Sequence, residues 1–180
     1  MPHELEKLVL RTATIQDLDV LQFWDTQQHV IDSDPDADWD WETELTKFPD
    51  WREQLMAEKE GEPLGFIQII DPFREETHYW GTVGPNKRAI DIWIGEARNL
   101  GKGYGTRMMI MALERCFQDV SVKEVLIDPL ESNTKAHRFY ERIGFQFVER
   151  RTFETSDCRV YRLKREEWEV RIQKTGSMSR

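Results

Sequence analysis

Runs in which every second residue is apolar alternate along this chain with runs in which apolar residues return every three or four positions. The first spacing is that of a half-buried strand and the second that of an amphipathic helix, so the pattern predicts an alternating α/β order. Residues 7–13 read as a strand. Thr14 and Asp17 then have the spacing of a capping box, ahead of a helix carrying Leu18, Leu21 and Trp24. Residues 42–52 are expected to form a second short helix. Residues 53–60 and 63–70 read as two strands of an antiparallel meander joined at Gly61 and Glu62. Residues 71–87, with Pro72, Gly81, Gly84 and Pro85, read as a long loop, and such loops in compact domains are more often functional than idle. A strand over 89–95 follows, then an apolar helix over 106–117 with Met109, Ile110 and Leu113 on one side. A strand over 124–128, a helix over 133–143 and strands over 145–153 and 159–163 complete the order. No repeat or linker interrupts it, so residues 1–172 are expected to form one domain and residues 173–180 a frayed or disordered tail.

Composition narrows the class. The chain has 180 residues, 39% hydrophobic and 33% charged, which suits one soluble domain with a single core. It has no apolar run of about 18 residues and no basic, apolar leader at its start, and a cytoplasmic protein away from membranes is expected. Cys116 and Cys158 offer no disulfide framework, and His3, His29, His78 and His137 have no ligand spacing, so no metal is expected. The net charge of −9 argues against a nucleic-acid partner and favours cations. Acidity is densest in the stretch from Asp32 to Glu42, where carboxylates are mixed with Trp39 and Trp41. Indole faces can hold ammonium groups or the apolar face of a sugar, which makes Trp41 a candidate substrate contact; a solvated loop with helix-capping acids is the plainer alternative.

The densest chemical signal is Leu100-Gly101-Lys102-Gly103-Tyr104-Gly105-Thr106, between a strand and an apolar helix. Alternate glycines can take positive φ and turn backbone N–H groups toward phosphate oxygens, and the following helix adds its unpaired N–H groups and the positive end of its dipole. The triplet of a P-loop is missing, since Lys102 is followed by Gly103. A dinucleotide fingerprint would need its third glycine where Thr106 stands, although Asp128 imitates its ribose-binding acid.

The run from Asp128 to Phe145, with Asn133, Ala136, Phe139-Tyr140 and Gly144-Phe145, resembles the Asn-x-x-Ala-x-x-Phe-Tyr-x-x-x-Gly-Phe motif of the GNAT N-acetyltransferases, and the glycine loop stands at the expected distance before it. Gly65-Phe66-Ile67-Gln68 and Arg88-Ala89-Ile90-Asp91 extend the likeness toward the aminoglycoside 6′-N-acetyltransferases. The resemblance covers roughly residues 8–168. It implies a mixed, mostly antiparallel sheet flanked by helices with splayed central strands, and acetyl-coenzyme A as cofactor. Its diphosphate would lie on residues 100–106; Leu100 departs from the Gln or Arg common in the family, with little loss expected because the loop works through its backbone. Ile92, Trp93 and Ile94 would pair with pantetheine. Asn133, Lys135, Ala136 and Arg138 would complete the cofactor contacts.

Amide formation from an amine of pKa near 10 needs a group that removes a proton at neutral pH. The resemblance gives that role to Asp91, and gives the leaving thiolate's proton to Tyr140; Glu76 in the long loop is the second choice for the base and a candidate acceptor contact, with a solvated loop acid as its plainer reading. A backbone N–H from Ile92 to Ile94 would stabilise charge on the carbonyl oxygen. Asp128, Tyr79, Trp80 and Phe73 are candidate acceptor contacts, although the aromatics could equally fill core. Tyr140 could be plain core packing and Asn133 a helix cap only. The expected acceptor is a small cationic amine, foremost the 6′-amine of an aminoglycoside; a siderophore precursor, a polyamine, a protein N-terminus, or coenzyme A binding without chemistry are the alternatives. Both a monomer and a homodimer are compatible with the sequence.

Overall fold

A computed structural model describes residues 7–177; residues 1–6 and 178–180, with His3 and the end of the expected tail, lie outside the described residues. Seven strands form one sheet: β1 (Leu8–Thr12), β2 (Arg52–Lys59), β3 (Glu62–Ile70), β4 (Lys87–Ile94), β5 (Glu124–Ile127), β6 (Gln146–Phe153) and β7 (Ser156–Lys164), in the order β1-β2-β3-β4-β5-β7-β6. β1/β2, β2/β3, β5/β7 and β6/β7 are antiparallel. β4 and β5 are parallel, with the register Lys87↔Glu124 to Ala89↔Leu126; β5 is only four residues long, so β4 outruns it. Six helices accompany the sheet: α1 (Leu18–Asp25), α2 (Gln28–Ser33), α3 (Trp41–Glu44), α4 (Tyr104–Gln118), α5 (Thr134–Ile143) and α6 (Arg165–Ser177).

The chain divides into two compact units. One runs to Ile70 and resumes over Ile90–Glu114; the other takes Asp71–Ala89 and the chain from Arg115 onward. In the first, inward residues of the meander alternate between two faces. Met56 and Phe66 lie on one of them and pack with Ala13, Leu21, Trp24, Trp41 and Leu45 in a single apolar cluster. The expected capping box is formed: Asp17 accepts from the Thr14 amide at 2.8 Å, and Arg11 clamps the same carboxylate with two guanidinium nitrogens at 2.7 and 2.8 Å. In the second unit the core is built from β5, β7, the last turn of α4 and α6, with Val125, Ile127, Tyr161, Leu163 and Trp168 buried.

Several expectations are corrected. The helix expected over 42–52 is the single turn α3, because Asp40 caps it and Arg52 already belongs to β2. α2 and α6 were not legible in the pattern. α6 covers residues 165–177, so the first part of the expected tail is helical; the Arg165 guanidinium holds it to the carbonyls of Phe117, Asp119 and Val122, and Arg171 reaches the carbonyl of Ile143 at 2.6 Å. On α4 the buried stripe runs through Met108, Met109, Ala112 and Leu113, one position round from the expected one, and Ile110 is only half-buried.

Candidate active site

The first unit carries the glycine loop, the candidate anion site, and Asp91, the candidate base. Gly101 and Gly103 have φ of 70° and 84°, whereas Gly105 belongs to α4, so two of the three glycines supply the left-handed turns and the third is helical. The first amide to bond back along the chain is that of Arg107, onto the Gly103 carbonyl at 3.1 Å. The amides just before it, at the start of α4, therefore have no acceptor within the helix, and Gly101, Lys102 and Gly103 are exposed. The side chain of Tyr104 is not free for a ligand: it is buried, and its hydroxyl meets the Lys59 ammonium at 2.9 Å.

Asp91 is partly buried on β4. It accepts from the Gln68 amide nitrogen at 3.0 Å, and the Gln68 oxygen accepts from Gln54 at 3.1 Å. Burial pushes Asp91 up to about 6, against the opposing Gln68 hydrogen bond, and the nearby Asp34 carboxylate adds to the rise. Asp34 is the residue that singles itself out from the acidic stretch; in the sequence nothing separates it from its neighbours. Of its fellows, Asp40 is a cap and Asp32 accepts from Gln28 at 2.7 Å.

Next along β4, the Trp93 carbonyl faces Gly65 and the Gly95 amide donates to the Leu64 carbonyl at 3.0 Å. Strand alternation then turns the backbone groups of Ile92 and Ile94 to the opposite edge, where the Ile94 carbonyl already bonds His29 at 2.8 Å. Trp41 corrects an expectation. It is 2% exposed, gives its indole N–H to Asp25 at 2.6 Å and packs edge-on to Phe66. Trp39 covers its face at a centroid distance of 4.7 Å and remains half-buried, so Trp39 is the indole of the pair with surface to offer.

The second unit holds the other candidates. Asn133 caps α5 by accepting from the Ala136 amide at 3.1 Å, so that amide is engaged by the cap. Lys135 and Arg138 are exposed on the same helix. Tyr140 is buried and packs edge-on against Phe139 and Phe145, with Tyr161 tilted beside it. In the long loop, the Tyr79 hydroxyl donates to Asp128 at 2.6 Å while its ring stacks on Phe153 at 4.7 Å. Phe73, Glu76 and Tyr79 are exposed, but Trp80 is 3% exposed against Phe153 and serves as core. Glu75, which the sequence reading passed over, is the buried acid of the loop and takes the amides of Thr77 and Tyr79 at 2.6 and 2.9 Å.

A family model described as an acetyltransferase (GNAT) domain matches residues 14–153. The chain belongs to this family. A GNAT relative named aminoglycoside N(6′)-acetyltransferase type 1, from Klebsiella pneumoniae, is 29% identical over 155 residues, covering 78% of this chain and 75% of its own. A crystal structure of aminoglycoside acetyltransferase AAC(6′)-Ib with coenzyme A and kanamycin superposes with a TM-score of 0.80 at 27% identity, over 90% of this chain and 97% of the other. A kanamycin resistance protein of Rhizobium radiobacter is 40% identical over 62 residues, a third of this GNAT chain (34%) and 57% of its own. Among the described residues no helix is long and apolar enough to cross a membrane, and no group of three or more His, Cys, Asp or Glu could hold a metal ion.

Proposed function

We propose that this chain transfers the acetyl group of acetyl-coenzyme A to an amine of a cationic aminosugar, the 6′-amine of an aminoglycoside, in the cytoplasm, and that its two units work as one catalytic domain. The observation that carries the reading is Asp91, a carboxylate raised to about 6 by burial. It is ionised at neutral pH yet a stronger base than an ordinary aspartate, which is the balance a proton acceptor needs. The backbone amides of the loop at 101–106, exposed over residues 101–103, fit a diphosphate, and the likeness to aminoglycoside acetyltransferases supports the acceptor class.

The substrate amine arrives as an ammonium, drawn by Asp91 and Asp34. Asp91 takes one proton, directly or through water, and the freed nitrogen lone pair forms the C–N bond at the thioester carbon. A backbone N–H of Ile92 or Ile94, on the edge of β4 away from β3, meets the charge that develops on the carbonyl oxygen. The nitrogen, positively charged once the C–N bond has formed, gives its second proton to solvent water; as the C–S bond breaks, Tyr140 gives its phenolic proton to the sulfur and recovers one from solvent, and Asp91 passes its own proton to solvent. The Tyr79–Asp128 pair, with an exposed ring and a carboxylate, is assigned to the acceptor, whereas Trp80 and Trp41 are released from that role by their burial.

The direct test is release of free thiol from acetyl-coenzyme A with kanamycin-like aminosugars, spermidine and hydroxylamines as acceptors. Release is expected to be fastest with the aminosugars; a rate no higher with any of the acceptors than with no acceptor would overturn the reading and leave a binding module. Tyr140→Phe is expected to alter the basic limb of the pH–rate curve. An unaltered limb would return Tyr140 to packing against Phe145.

A further inference from the structure

We propose that Gln54 is a positioning residue for the proton acceptor, acting through Gln68: its amide fixes which end of the Gln68 side chain faces Asp91. The inference rests on Asp91 being the acceptor, and concerns Gln54 on β2, whose side-chain hydrogen bond goes to Gln68 on β3 and not to Asp91 itself.

Gln54 and Gln68 are partners in the β2/β3 register. They are 8% and 9% exposed, and the neighbouring positions on the same face of those strands are Met56 and Phe66. An amide buried without partners costs about 1–3 kcal/mol, and leucines at both positions would remove that demand. The amides are instead joined in a row of defined direction, Gln54 Nε2 donating to Gln68 Oε1 at 3.1 Å and Gln68 Nε2 donating to Asp91 Oδ2 at 3.0 Å. An ionised carboxylate can only accept, so the Gln68 end that touches it is the NH2 group, and its oxygen then needs a donor on the far side. Gln54 is that donor. Without it, a half-turn of the Gln68 amide would set oxygen against carboxylate.

The orientation matters because of what else faces Asp91. Asp34, in the segment after α2, disfavours the ionised form, and His29 on α2 is engaged with the Ile94 carbonyl. Gln68 supplies the donor that favours ionisation. Gln54 therefore sets, at one remove, the pH at which Asp91 is ready to accept.

The test uses the full chain with 13C-labelled aspartate. The Asp91 carboxyl resonance is identified by its loss in Asp91→Asn and titrated in the parent, Gln68→Leu, Gln54→Leu and the double variant, beside the pH–rate curve of thiol release. Gln68→Leu is expected to raise the midpoint by about one pH unit, the worth of a hydrogen bond to a charged group. Gln54→Leu should raise it by less, and the double variant by no more than Gln68→Leu alone, because Gln54 acts only through Gln68. Melting temperatures should fall in both single variants, because each leaves a buried amide partner unsatisfied, and should recover in part in the double variant; the shifted midpoint is the readout that a merely structural role would not give. Should Gln54→Leu fail to fold, Gln54→Met carries the same expectation. An unmoved midpoint in the Gln54 variant, or additive shifts in the double, overturns the role of Gln54 and leaves Asp91 untouched. A midpoint that moves while the acid limb of the rate curve stays overturns Asp91 as acceptor, and the catalytic role of Gln54 with it.

Discussion

Asp91→Asn is expected to slow acetyl transfer at least about tenfold while making the protein more stable at neutral pH. The two effects have one cause. Burial raises the carboxyl from 3.8 to about 6, so the folded chain holds its proton more tightly than the unfolded chain does. Below pH 3.8 both states are protonated and the group is neutral in the balance. As pH rises through the window from 3.8 to about 6 the unfolded chain gives up its proton first, and folding loses stability that is not recovered above the window. Asparagine keeps the shape and can still accept from Gln68 but has no charge to bury. It should gain on the order of 1–3 kcal/mol above the window and nothing below it. Melting curves of parent and variant at pH 4 and pH 8, beside thiol-release rates at pH 8, read both effects. Equal rates would remove Asp91 from the reaction; a variant less stable than its parent at pH 8 would show that the carboxylate is not held in a costly place.

Gly95→Ala is expected to cost about 3 kcal/mol or more and to reduce the yield of folded protein sharply. A Cβ at position 95 would lie 1.9 Å from Cε2 of Trp24 and 2.2 Å from its Cδ2. The indole cannot yield, because Trp24 is 1% exposed and belongs to the cluster with Leu21, Trp41 and Phe66. The backbone cannot yield either without losing the Gly95–Leu64 hydrogen bond that holds the end of β4 to β3, immediately after Ile92–Ile94. Thermal melting gives the loss, and a second change, Trp24→Leu, should return part of it by vacating the space. Gly95→Ala melting with the parent would show that the strand end is free to shift.

The order of strands and helices was legible because each carries its own periodic pattern, and the capping pairs Thr14/Asp17 and Asn133/Ala136 were legible because a cap needs only residues three apart. α6 was not, since six of the thirteen residues 165–177 are charged, Val170 and Ile172 are exposed so that no apolar stripe marks a face, and the helix is secured by Trp168 and by arginines on distant carbonyls. The tryptophan pair misled in a related way. Trp41 sits among acids in the chain and reads as exposed, but packing against Phe66 and a hydrogen bond to Asp25 make it core.

The loop at 101–106 and the acid at 91 are local features: glycine spacing, a helix start and a carboxylate in a strand are properties of neighbouring residues, so the amino-acid order alone determined a glycine turn at a helix start, a candidate anion site, and a candidate base. How strongly that base holds its proton was decided by the tertiary structure. Gln54, Gln68 and Asp91 are separated in sequence by 14 and 23 residues and meet only through strand pairing, and Asp34 comes near through the placement of α2. Burial and charge act through space, and the distances that govern them exist only once the sheet has formed.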